Sequence, residues 1–88
     1  MANEVQRAIP CYKQALKQNP DNFLAMFNLG TNYERLHKFS SALKWFRHAA
    51  KIKPDLEIAH RAAGLNFFKL GRYSEAAQSL QDCIDVYE

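Results

Sequence analysis

A shift of 34 residues lays this sequence on itself without a gap, and no other feature restricts its possible folds so sharply. Ala25 falls on Ala59, Gly30 on Gly64, Asn32 on Asn66, Leu36 on Leu70, Ser40 on Ser74 and Ala42 on Ala76. Similar residues fill in between: Tyr33 with Phe67, Phe39 with Tyr73, Phe46 with Leu80, and Ile52 with Val86. A fixed period of this size marks an array in which one small motif stacks on copies of itself.

Within each period the apolar residues recur at helical spacing. Met26, Leu29, Gly30, Tyr33 and Leu36 follow three- and four-residue steps and share one helix face. A break follows at His37 and Lys38. Phe39, Ala42, Leu43, Phe46, Ala49, Ala50 and Ile52 then trace a second amphipathic helix. Ser40 is expected to cap that helix, its hydroxyl accepting from a free amide of the first turn. Lys51 and Lys53 place cations where the helix dipole favours them, and Pro54 stops the helix. The second period predicts a helix from Glu57 to Leu70, a turn at Gly71 and Arg72, and a helix from Ser74, again as cap, to Val86. Small residues stand among bulky ones: Gly30, Gly64, Ala42 and Ala76 predict close helix contact, with Phe46 and Tyr33 filling the space beside them.

The run Met26-x2-Leu29-Gly30-x2-Tyr33, followed by Ala42-x3-Phe46, Ala49 and Pro54, resembles the tetratricopeptide repeat. Met26 stands where that family usually has Trp. The second unit is looser, with His60, Ala63, Phe67, Leu80 and Cys83 at the matching places. Ala8-x3-Tyr12, Ala15 and Pro20 lie 34 residues ahead of Ala42-x3-Phe46, Ala49 and Pro54. The resemblance therefore implies an all-α solenoid of antiparallel helix pairs, coiled as a right-handed superhelix of five helices and about two and a half repeats. Residues 4–20 would be the second helix of an incomplete repeat, 23–56 a full repeat, and 57–88 another, cut off where its closing Pro would fall. Pro10 predicts a late or frayed start to the first helix, since it removes a hydrogen bond from a helix interior. Pentatricopeptide arrays, the nearest confusable family, normally space their units by 35, and the Leu-Gly pair also argues against them.

Bulk properties narrow the function. The chain has 88 residues, 48% of them hydrophobic, which is ordinary for one small globular domain. No apolar run approaches the roughly 18 residues needed to span a bilayer, so no membrane role is expected. Residues 1–5 lack the basic and apolar blocks of a signal peptide. Cys11 and Cys83 form neither a CxxC pair nor a metal-type spacing with His, which points to a reducing setting, cytoplasmic or nuclear. The net charge of +3 comes from Lys and Arg scattered singly among acids, and this dispersion argues against a nucleic-acid partner.

No catalytic, cofactor or metal set is expected. His37, His48 and His60 occupy non-equivalent places, with His60 read as packed on an apolar face and His48 as facing outward. Cys83 reads as a small buried hydrophobe, Cys11 as partly exposed, and neither has the neighbouring His that would activate a nucleophile. Gly30, Gly64 and Gly71 are too far apart for a phosphate loop. The chain is therefore expected to be a non-catalytic scaffold or adaptor for another protein.

The resemblance implies where that partner would lie. In tetratricopeptide arrays the first helix of each unit lines a concave groove. Here those helices offer Leu24, Phe27, Asn28, Thr31 and Arg35, then Ile58, Arg61, Ala62, Leu65, Phe68 and Lys69. Phe27, Leu65 and Phe68 would form an apolar strip beside the cations Arg35, Arg61 and Lys69, suited to a peptide or helix with apolar anchors and an acidic or C-terminal carboxylate group. The alternative is that the aromatics fill helix contacts and the cations are merely solvated. Chaperone-binding members of the family clamp the carboxylates of acidic C-terminal tails, and Asn28 and Arg61 would supply part of such a clamp. An RNA-binding helical repeat is the competing class, marked by a steep loss of binding with salt. Both ends also look uncapped, with Val5, Ile9 and Tyr12 at one and Leu80, Ile84, Val86 and Tyr87 at the other, which predicts self-association or membership of a longer array.

Overall fold

The computed structural model describes residues 2–87, and the expected end of the last unit at Glu88 lies outside them. Five helices follow in order: α1 (Ala2–Gln18), α2 (Phe23–Arg35), α3 (Phe39–Ile52), α4 (Glu57–Lys69) and α5 (Tyr73–Val86). Each packs against the next along the chain. The result is an all-α stack of antiparallel helix pairs, as the period predicts.

The contact between α2 and α3 explains the glycine at position 30. A Cβ built there would come within 2.6 Å of the Phe46 ring, whose side chain is fully buried. Even a methyl group there would force the ring to shift. Around this contact one apolar cluster joins Ala42, Leu43 and Phe46 to Ala63, Phe67 and Ala76, spanning α3, α4 and α5. A second joins Met26, Ala49 and Ala59 across α2, α3 and α4. Burying a ring such as Phe46 contributes about 1.5–3 kcal/mol. Because both clusters cross between helix pairs, no pair holds its core alone.

Three local expectations are corrected. Ser40 and Ser74 are not caps: α3 and α5 begin one residue earlier, at Phe39 and Tyr73, after Lys38 and Arg72, and no side chain caps either helix. The reason lies in the preceding turn. His37 adopts a left-handed backbone (φ 59°), as Gly71 does 34 residues on (φ 76°). The amide of Lys38 then donates back to the carbonyl of Tyr33, and that of Arg72 to Phe67, which fixes where the next helix begins. The side-chain cap is instead at Asn22, whose Oδ1 accepts from the Ala25 amide at 3.1 Å.

Pro10 does not delay or fray the first helix, which starts at Ala2 and runs through it. Pro10 lies on the exposed side, where the helix can bend away from its ring and water can satisfy the carbonyl released one turn earlier. Val5, expected to be open at this end, is buried. Cys83, expected to be a buried hydrophobe, is only half-buried, and its thiol donates to Glu57 Oε1 at 3.5 Å. Burial first, and then the Glu57 carboxylate, push that thiol above its usual pKa.

Candidate functional site

The repeat period sets the geometry of the α2–α4 face before any side chain is considered. A shift of 34 places Phe27 level with Arg61, Thr31 with Leu65, and Arg35 with Lys69. The two helices are tied across that face by Glu34, whose Oε2 accepts from Asn66 Nδ2 at 3.3 Å and from Lys69 Nζ at 3.4 Å. Asn66 is fully buried and also donates to the carbonyl of Ala62 at 2.8 Å. Its Oδ1, and the Nδ2 of the equivalent Asn32, have no partner among the described residues.

The side chains of the expected groove divide into two groups. Leu65 and Phe68 are open, at 50% and 62% exposure, and Leu24 is open as well. Asn28 and Arg35 are exposed. Phe27 is half-buried, its ring centroid 5.3 Å from that of Phe46, and it packs on both core clusters, so it is largely a packing residue. Thr31 donates its hydroxyl to the Phe27 carbonyl. Ala62 likewise packs on the core, and Ile58 is half-buried. The cations are partly engaged already: Arg61 pairs with Glu57 at 3.3 Å, and Lys69 stands 4.8 Å above the Phe39 ring while pairing with Glu34. Exposed pairs of this kind contribute under about 1 kcal/mol, so a ligand carboxylate can displace them.

The histidines hold no common site. His60 is half-buried with Nε2 2.7 Å from the carbonyl of Pro54, and so ties α4 to the loop before it. His37 lies in the left-handed turn, and exposed His48 stacks with Trp45 at 6.0 Å.

The scattered cations of the sequence are gathered by the fold. Lys44, Arg47, His48, Lys51 and Arg72 line one recess of ~470 Å³ along α3 and the turn before α5. Residues three, four and seven apart share one side of a helix, and α3 carries no acid to interrupt them. Sequence spacing held this signal, since Lys44, Arg47 and Lys51 lie on one helical stripe. Arg72 joins them from the turn between α4 and α5, which only the stacking reveals.

Family models described as the tetratricopeptide repeat match residues 2–57 and 62–88. Among solved structures, a crystal structure of MamA superposes with a TM-score of 0.93 at 24% identity, covering 96% of this chain and 49% of that one. A MamA structure from AMB-1 gives 0.86 at 26% identity, covering 94% and 45%. The second TPR of Spaghetti (RPAP3) bound to the HSP90 peptide SRMEEVD gives 0.88 at 24%, covering 93% and 76%. The chain thus spans about half the length of the MamA structures. No curated protein matches its sequence. With the 34-residue period, the packed helix pairs and a family match over residues 2–57, the chain belongs to the tetratricopeptide repeat family.

Proposed function

We propose that this chain is a non-catalytic scaffold that holds a peptide or helix of a partner protein against its α2–α4 face. The observation that carries this reading is the pair of open apolar residues, Leu65 and Phe68, bordered by Arg61, Arg35 and Lys69 on a surface tied by Glu34. Apolar side chains offer anchoring pockets and the cations offer charge to a partner's carboxylates. Tetratricopeptide repeats commonly mediate protein–protein contacts, and the RPAP3 structure has a peptide bound on the same fold. On this reading residues 4–20 form a half unit and 23–56 and 57–88 two repeats. The free thiols of Cys11 and Cys83 fit a reducing, cytoplasmic setting.

The test is a paired pull-down of wild type against Phe68→Ala/Arg61→Glu, with folding checked by circular dichroism. Both residues are exposed, so the variant is expected to fold while losing its partner. Equal recovery of the same proteins by both forms would move the site off this face.

A second reading, an acidic C-terminal tail held by a partial carboxylate clamp, is favoured by the three cations. Open Leu65 is unfavourable to it, since an apolar residue stands where a further donor would help. Amidating the C-terminus of a captured tail would weaken binding at least ten-fold on the clamp reading and leave it unchanged on the first. An RNA-binding role would instead show a steep fall of affinity with salt.

A further inference from the structure

The stack is electrically polarised along α3 and α5. Between Glu34 and Asp55 the sequence has no carboxylate, yet it holds half of the twelve Lys and Arg residues. From Tyr73 onward it has Glu75, Asp82, Asp85 and Glu88 and no Lys or Arg. The fold turns this into a trough between α3 and α5. At one end is the recess of ~470 Å³ lined by Lys44, Arg47, His48, Lys51 and Arg72. It continues into a second of ~350 Å³, which shares Arg47 and Lys51. A third, of ~390 Å³, shares His60 and Asp82 with the second and adds Asp55 and Asp85. The path thus runs from cations to carboxylates along one channel.

The basic end is only partly neutralised. Arg47 and Arg72 both approach the Phe67 ring, at 5.6 and 4.9 Å, so two guanidiniums are kept near each other over a buried apolar floor. Arg72 is paired with Glu75 and holds that carboxyl below its usual pKa. Lys44, Arg47 and Lys51 make no ion pair among the described residues. At the other end Asp55 pairs with Lys53 at 3.1 Å, whereas Asp82 and Asp85 accept only from Gln78 and Gln81.

We propose that this trough is a second binding site, whose ligand is a short peptide segment of a partner protein with carboxylates at one end and Lys or Arg at the other. Charge complementarity selects that occupant. A nucleic acid carries a negative charge at every step and would be repelled along the Asp82–Asp85 end. A uniformly acidic peptide meets the same repulsion. The fourteen residues of α3 rise about 21 Å, which an extended segment of about six residues would cover. The site is independent of the α2–α4 face, because none of the residues offered there lines it.

The experiment is a fluorescence-anisotropy titration at low salt with a labelled peptide of about eight residues, aspartates at one end and lysines at the other. Comparison ligands are a peptide of the same composition with alternating charges and a single-stranded oligonucleotide. The block-charged peptide is expected to bind at least ten-fold more tightly than the alternating one. Lys44→Glu/Lys51→Glu, both at exposed positions, should weaken it at least ten-fold with an unchanged circular-dichroism spectrum. Asp82→Lys/Asp85→Lys should weaken it too and should strengthen the oligonucleotide. Phe68→Ala/Arg61→Glu should leave it within two-fold, so loss of the α2–α4 site and loss of this one read out separately. Equal binding of both peptides, indifference to the Lys44 and Lys51 changes, tighter binding of the oligonucleotide to wild type, or no saturation at millimolar peptide would each overturn the proposal. So would sedimentation showing a dimer that Lys44→Glu/Lys51→Glu dissolves and the peptide does not, since the occupant would then be a second copy of the chain.

Discussion

Gly30 and Gly64 occupy the same place in the repeat and answer differently to the same substitution. In a helix interior, Gly→Ala gains about 1 kcal/mol from backbone propensity alone. At Gly30 the new methyl meets the buried, rigid Phe46 ring at 2.6 Å, and overpacking of that kind costs about 1–3 kcal/mol. At Gly64 it meets the flexible end of Leu80 at 3.1 Å, and Leu80 is 43% exposed and free to move aside. Thermal unfolding should therefore show Gly30→Ala lowered by several degrees and Gly64→Ala unchanged or raised. The left-handed turns give a second pair. His37 pays a steric penalty that Gly71 escapes, so His37→Gly should stabilise by about 0.5–1 kcal/mol and Gly71→Ala should destabilise by about 1 kcal/mol. Urea titration of both would check the two signs. Gly30 was legible because its alignment with Gly64 marked a contact. His37 was not, because a histidine carries no sequence mark of positive φ.

Among the elements, α1 carries the plainest defect. Pro10 lies in its interior, and proline there costs up to about 3 kcal/mol relative to alanine. Pro10→Ala should raise the melting temperature and the helical circular-dichroism signal, since the exposed position demands nothing of the ring. A melting temperature left unchanged would mean that packing of α1 on α2 already absorbs the cost. The helices themselves were legible to within a residue or two from period and spacing. Their first residues were not: the hydroxyls of Ser40 and Ser74 suggested caps, whereas the backbone bonds from Lys38 to Tyr33 and from Arg72 to Phe67 decide the start. The last helix is also the least covered. Phe46 is fully buried between neighbours, while its counterpart Leu80 is 43% exposed, and Tyr73, Ile84 and Tyr87 are more exposed still. Amide exchange should accordingly be slowest in α3, packed on both sides by α2 and α4, and fastest in α1 and α5. Equal protection in α3 and α5 would mean that something covers α5 in solution, as its open apolar stripe invites.

At the scale of the whole molecule, stability and surface both arise from stacking. The clusters that cross between helix pairs make each unit depend on its neighbours, so Phe46→Ala should cost about 3–5 kcal/mol while Leu80→Ala costs markedly less. Denaturant unfolding of the two variants would measure the difference. Charge placement was the least legible property. Lys44, Arg47 and Lys51 share one stripe at helical spacing, but only the stacking of α3, α4 and α5 brings Arg72 to them. The α2–α4 face was half legible, since period gave its rows but not the inward packing of Phe27.

In an array of near-identical parts, the hazard is joining the right pieces in the wrong alignment. The buried side chain of Asn66, whose Nδ2 donates across the seam to Glu34, discriminates against that error. Sliding α4 by one turn would keep apolar surfaces together but break the Glu34–Asn66 bond, a loss of about 1.5–3 kcal/mol for a bond to a charged acceptor. Grease alone tolerates misalignment; the Glu34–Asn66 bond works as a proofreading mark, rejecting a slipped joint while the chain is still assembling.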